Sequence, residues 1–89
     1  MFEKIGYNGA RSDSGYEVKR TGRHTLVYSE NNRRLTIEVE AGESLYVYLS
    51  QTVAWDDPCS DFLLKDEVLI IKDRISKALD FLQVKYIIE

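Results

Sequence analysis

The sharpest pattern in the chain is an alternation of apolar and polar residues from Arg34 to Glu40. Leu35, Ile37 and Val39 fall on one side, and Arg34, Thr36, Glu38 and Glu40 on the other. Successive side chains of a strand point to opposite faces, so this segment reads as a strand with one buried face. The preceding run, His24 to Glu30, is rich in strand formers, with Leu26 and Tyr28 on one face and Thr25 and Val27 on the other. Asn31-Asn32 lies between the two runs. Asparagine tolerates positive φ, so the pair suits a tight hairpin turn. A second turn at Ala41-Gly42-Glu43-Ser44 leads into Leu45–Ser50, where Leu45, Val47 and Leu49 oppose Tyr46, Tyr48 and Ser50. These segments predict an antiparallel meander, with a further strand over Tyr16–Lys19.

Trp55-Asp56-Asp57-Pro58 ends the β pattern, because proline cannot donate to a ladder and aspartate favours turns. Helical spacing then takes over. Leu64, Val68, Ile71, Ile75, Leu79 and Leu82 recur at three- and four-residue steps and form one apolar stripe. Lys65, Lys72, Asp73, Ser76, Lys77 and Asp80 occupy the opposite side. Asp66 and Glu67 stand at the N-terminal end, where the helix dipole favours anions. Burying the stripe is worth roughly 1.5–3 kcal/mol per large side chain before entropy is subtracted, so the helix needs the sheet. Val84–Ile88 reads as a last strand, with a sharp bend around Gln83.

The expectation is therefore an α+β fold: an antiparallel sheet of four or five strands, one long C-terminal amphipathic helix packed on one face, and a final C-terminal strand. A single domain spans residues 1–89. Residues 1–15 form a short N-terminal arm and loop, 16–55 the strands, 56–63 a loop, 64–82 the helix and 84–88 the last strand. Phe2, Ile5 and Tyr7 fit a short strand, a docked arm or a frayed tail. Asn8–Gly15 is built of turn and loop residues.

At 89 residues the chain holds one modest core and no deep, walled cavity for catalysis. Fifteen acidic against twelve basic residues give a net charge of −3. A nucleic-acid binder is normally basic, so that class ranks last, although Arg11, Lys19, Arg20 and Arg23 make a local basic patch. A mildly acidic protein suits a basic partner instead. One cysteine, Cys59, excludes an internal disulfide and fits a reducing compartment. No segment reads as a signal peptide or membrane span, and a cytoplasmic location is expected.

Candidate chemistry is sparse. His24 and Cys59 are the one histidine and the one cysteine. A Cys–His nucleophile is possible on paper, but Asp56, Asp57 and Asp61 flank the cysteine and disfavour a thiolate. Zinc-ligand spacing, a phosphate loop and a nucleophile elbow are all missing. Glu38 with Glu40, or Asp56 with Asp57, are paired carboxylates, most simply solvated. Arg20, Arg23, Arg33 and Arg34 are scattered at strand ends and read as solvated charge rather than a phosphate site. Neither catalysis, a cofactor nor a metal is expected.

Aromatic residues point elsewhere. Tyr46 and Tyr48 project from the face opposite the core set, beside Glu38 and Glu40. Tyrosine is favoured in interfaces for its large contact area at low entropic cost. Cross-strand packing on an open face is the other reading. Trp55 is either an anchor between sheet and helix or a binding hot spot ringed by Asp56, Asp57 and Asp61. The candidate partner-binding residues are thus Glu38, Glu40, Tyr46, Tyr48, Trp55, Asp56, Asp57 and Asp61.

The order of these features is similar to that of a known family. Tyr28-Ser29-Glu30, a polar turn, Arg34-Leu35 opening an acidic strand, a further strand, Trp55-Asp56-Asp57-Pro58, then an amphipathic helix and a last strand: together these resemble family 74 of the bacterial polymorphic-toxin immunity proteins. The resemblance spans about Thr21 to Ile88. Asn31-Asn32 stands where the family pattern has glycines. The resemblance implies a cytoplasmic protein that binds the C-terminal toxin domain of a contact-dependent or secreted effector one to one and blocks it. The acidic residues around Trp55 would suit a basic, nuclease-like toxin. A small adaptor or regulatory subunit with no toxin link is the alternative.

Overall fold

A computed structural model describes residues 1–6, 8–52, 54–56 and 61–89. The described strands are β1 (Phe2–Ile5), β2 (Gly9–Ser12), β3 (Tyr16–Gly22), β4 (Thr25–Glu30), β5 (Arg33–Ala41), β6 (Leu45–Val47) and β7 (Tyr86–Ile88), with a 3₁₀ turn at Leu49–Gln51 and helix α1 at Lys65–Phe81. They form one seven-stranded sheet in the order β1-β2-β3-β4-β5-β6-β7. Every neighbouring pair is antiparallel except β6 and β7, which are parallel.

The α+β class and the helix-on-sheet arrangement hold, but four or five antiparallel strands is an undercount. Two of the additional strands come from the N-terminus. The segment predicted as arm and loop is a hairpin in which Phe2 pairs with Ser12 and Ile5 with Gly9. Its residues are turn-like in composition, yet neighbouring β3 offers a ladder to β2, and tertiary pairing overrides weak strand propensity. Gly9 has a close-contact role here: a Cβ would lie 2.7 Å from the Ile5 carbonyl oxygen. The strand predicted over Leu45–Ser50 stops at Val47 and continues as the 3₁₀ turn.

The β4–β5 turn is as expected. Glu30 pairs with Arg33, leaving Asn31 and Asn32 at φ 46° and 64°. Positive φ at both central residues gives the turn twist that matches the strands. β5 is the hinge of the sheet. Residues 33–38 pair with β4, whereas Val39–Ala41 pair with β6. The half of β5 that β6 leaves uncovered is met by the loop after the 3₁₀ turn, where the Asp56 N–H donates to the Arg34 carbonyl at 2.8 Å.

The inner face carries the core. Val18, Leu26, Tyr28, Leu35, Ile37, Val39, Val47 and Leu49 pack against Ile71, Ile75, Ala78 and Leu79 of α1. Val68 and Leu82 complete the predicted stripe as half-buried residues, while Leu64 is exposed. Leu64 occupies the N-cap, outside the helical repeat, so its side chain has no reason to face the sheet. It supplies no cap oxygen; the Glu67 carboxylate accepts the Leu64 N–H at 3.0 Å, half of a capping box. At the other end Gln83 takes φ 60°. The Val84 N–H then reaches the Leu79 carbonyl and the Gln83 N–H that of Asp80, a Schellman ending that turns the chain into β7.

Candidate functional site

Four of the expected partner-binding residues, Glu38, Glu40, Tyr46 and Tyr48, assemble on the outer face, away from the helix. The β5–β6 register sets Glu40 opposite Tyr46, and the Tyr48 N–H donates to the Glu38 carbonyl at 3.0 Å. Each tyrosine is thus flanked across the ladder by a glutamate. The Tyr48 hydroxyl reaches diagonally and donates to Glu40 Oε2 at 3.0 Å. That hydrogen bond, partial desolvation, and the charges of Glu40, Glu89 and Glu38 raise the Tyr48 pKa. Its hydroxyl therefore stays a proton donor throughout the neutral range. Glu38 and Glu40 are exposed; Tyr46 and Tyr48 are half-buried at their bases.

β7 enlarges this patch. Its parallel register places Ile87 beside Tyr46, and the Glu89 N–H donates to the Val47 carbonyl at 2.8 Å. Ile87 is 43% exposed and adds aliphatic surface beside the tyrosine. The sheet thus presents an apolar and aromatic strip, Tyr46, Tyr48 and Ile87, bordered by Glu38, Glu40 and Glu89. Ile87 and Glu89 were missed as site residues. A signal was available: a helix lying between two strands is the connection that parallel pairing requires.

The tryptophan loop does not offer the surface expected of it. Trp55 is 2% exposed and sits in the core, its ring 6.2 Å from that of Tyr28 and beneath the Arg33 guanidinium at 4.1 Å. A side chain this buried fits the anchor reading rather than a surface hot spot, and its ring meets Tyr28 of β4 and Arg33 of β5. Its Nε1 finds no partner among the described residues. Asp56 is likewise committed internally: its carboxylate accepts the Thr36 backbone N–H at 3.1 Å and the Thr36 hydroxyl. These bonds pin the loop to β5. Asp61 is exposed, and its carbonyl accepts the Trp55 N–H at 2.8 Å. Asp57 and Cys59 lie outside the described residues. His24 is exposed in the β3–β4 turn.

The arginines are dispersed. Arg33 spans Glu30 at 3.7 Å and Glu67 at 3.5 Å, and Arg20 donates to the Arg23 carbonyl. Arg74, unremarked in the sequence, donates to the Tyr28 hydroxyl at 2.8 Å and lies over the Tyr16 ring at 4.8 Å. Tyr28 in turn donates to Glu30 Oε1 at 2.8 Å. Tyr16, Tyr28 and Trp55 make an aromatic row, clamped to the helix by Arg74 and Glu67. Among the described residues no three histidine, cysteine or acidic side chains group to hold a metal ion. No helix among them is long and apolar enough to cross a membrane.

Of the known protein families, curated proteins and solved structures compared with this chain, none matches it.

Proposed function

We propose that this protein acts by binding another protein through the outer face of β5, β6 and β7, and that the partner is a basic bacterial toxin domain which it neutralises one to one. The supporting observation is the strip itself. Tyr46, Tyr48 and Ile87 give contact area, and Glu38, Glu40 and Glu89 give it a negative rim. The Tyr48–Glu40 hydrogen bond holds the strip in one arrangement before a partner arrives, which reduces the entropy lost on docking. Aromatic centres with charged rims are how tight interfaces are built, and the negative rim steers a positive partner. The toxin domain as partner comes from the resemblance to polymorphic-toxin immunity proteins, carried by Tyr28-Ser29-Glu30 and Trp55-Asp56-Asp57-Pro58. The chain itself has no catalytic step in this reading; it occludes.

Coexpression with the toxin domain encoded next to it should yield a one-to-one complex and rescue growth. Tyr46→Ala should weaken the complex by at least about tenfold, the scale of an interface hot spot. A chain that forms the complex equally well with Tyr46 and Tyr48 both truncated would remove the outer face from the proposal. One that neither binds nor protects would remove the toxin, and capture of a non-toxic partner by the same face would make the protein an adaptor.

A further inference from the structure

On the inner face, under the C-terminal end of α1, lies a cavity of about 280 Å³. Leu26, Leu45, Leu79, Leu82 and Val84 make its walls, and Lys4, Arg20 and Asn8 stand around it. Strand register explains how cations come to face an apolar space. Lys4 pairs with Ala10, which pairs with Val18, and both of those are fully buried on the inner face. Arg20 pairs with Leu26, also buried there. Both cations therefore spring from the core-facing side of the sheet and stand at the cavity's rim, Lys4 exposed and Arg20 half-buried. Arg20 donates to the Arg23 carbonyl at 3.2 Å, and neither cation makes an ion pair among the described residues. No carboxylate is among the described residues lining the cavity.

An inward-pointing lysine on an edge strand can be explained as protection against edge-to-edge pairing. That accounts for Lys4 on β1. It does not account for Arg20, which sits on β3, an interior strand of the sheet. Neither cation donates to a carbonyl at the helix end among the described residues, where those of Ala78, Leu79 and Asp80 accept backbone N–H groups. Apolar walls with a few placed polar groups are what a small-molecule site consists of.

We propose that this cavity binds a small alkyl carboxylate, its chain against the leucines and its anionic head between Lys4 and Arg20, with the Asn8 amide as a further donor. The volume falls just below the roughly 300–1,000 Å³ of sites that hold drug-sized molecules, so the occupant is short. The site lies on the opposite face of the sheet from the tyrosine strip, so the two proposals stand or fall separately.

Titrating the full chain with octanoate and with octan-1-ol, followed by amide chemical shifts, separates head from tail. Octanoate should move the amides of Arg20, Leu26, Leu79 and Val84 and bind about tenfold more tightly than the alcohol, the scale of one charge-assisted hydrogen bond. The double variant Lys4→Gln, Arg20→Gln, checked for unchanged amide dispersion, should bring the two ligands to equal affinity. Equal binding by the native chain would overturn the proposal. So would shifts confined to other residues, no response at millimolar ligand, or an octanoate preference that survives the double variant.

Discussion

The Tyr28 hydroxyl lies between the Glu30 carboxylate and the Arg74 guanidinium, donating to one and accepting from the other. Replacing Arg74 with methionine keeps the aliphatic stem and removes the donor. It should lower stability by roughly 1–3 kcal/mol in urea denaturation, the range for a charge-assisted hydrogen bond whose partner stays buried. Burial, the largest cause, raises the Tyr28 pKa far above its ordinary value of 10.0. The folded chain then keeps a proton that the unfolded chain releases. Stability is fully present below about pH 10 and should fall as pH rises beyond it. Tyr28→Phe removes this residue's share of the slope, leaving that of Tyr48; denaturation midpoints at increasing alkaline pH, compared between the two proteins, are the check. Tyr28, Glu30 and Trp55 are among the residues that carry the proposed family resemblance, and their described contacts are internal. The anchor role of Trp55 was legible as one of two readings, but the clamp was not, because it is completed by Arg74, which lies 46 positions along the chain from Tyr28.

Elements with strong periodicity were legible. Alternation placed Leu35, Ile37 and Val39 inward, and the helical stripe found the residues of α1 that meet the sheet. The N-terminal hairpin was not, because Gly9–Ser12 carries little strand signal of its own and gains its ladder from β3. The side of β6 that receives β7 was not read either, although the strand–helix–strand order is the connection that a parallel pair needs. Helix α1 starts without a capping oxygen, and Leu64 already has the extended backbone of an N-cap residue, at φ −83° and ψ 152°. Leu64→Ser supplies the missing acceptor and removes an exposed aliphatic side chain. It should raise stability by roughly 0.5–1 kcal/mol, read as a shift in the urea midpoint.

At the scale of the whole molecule, one sheet separates two local sites of opposite charge, although Lys19 and Arg34 also stand on its outer face. Inside, the helix is packed on the core and the cavity at its end is flanked by Lys4 and Arg20. Outside, the tyrosine strip is bordered by carboxylates. A net charge of −3 hides this polarity, and sequence reasoning recovered only the outer half of it. Reversing Glu38 and Glu40 to lysine should slow association with a basic toxin domain by about ten- to a hundredfold at low ionic strength, with the gap closing as salt is added. Stopped-flow mixing at several salt concentrations measures this. A rate insensitive to both changes would place the encounter elsewhere on the surface. The single tryptophan has a practical consequence here. Because Trp55 is enclosed beneath Arg33 on the far side of β5 from the strip, its emission should shift to longer wavelength when the chain unfolds and stay at its native colour when a partner docks. One intrinsic fluorophore would then report folding without interference from recognition.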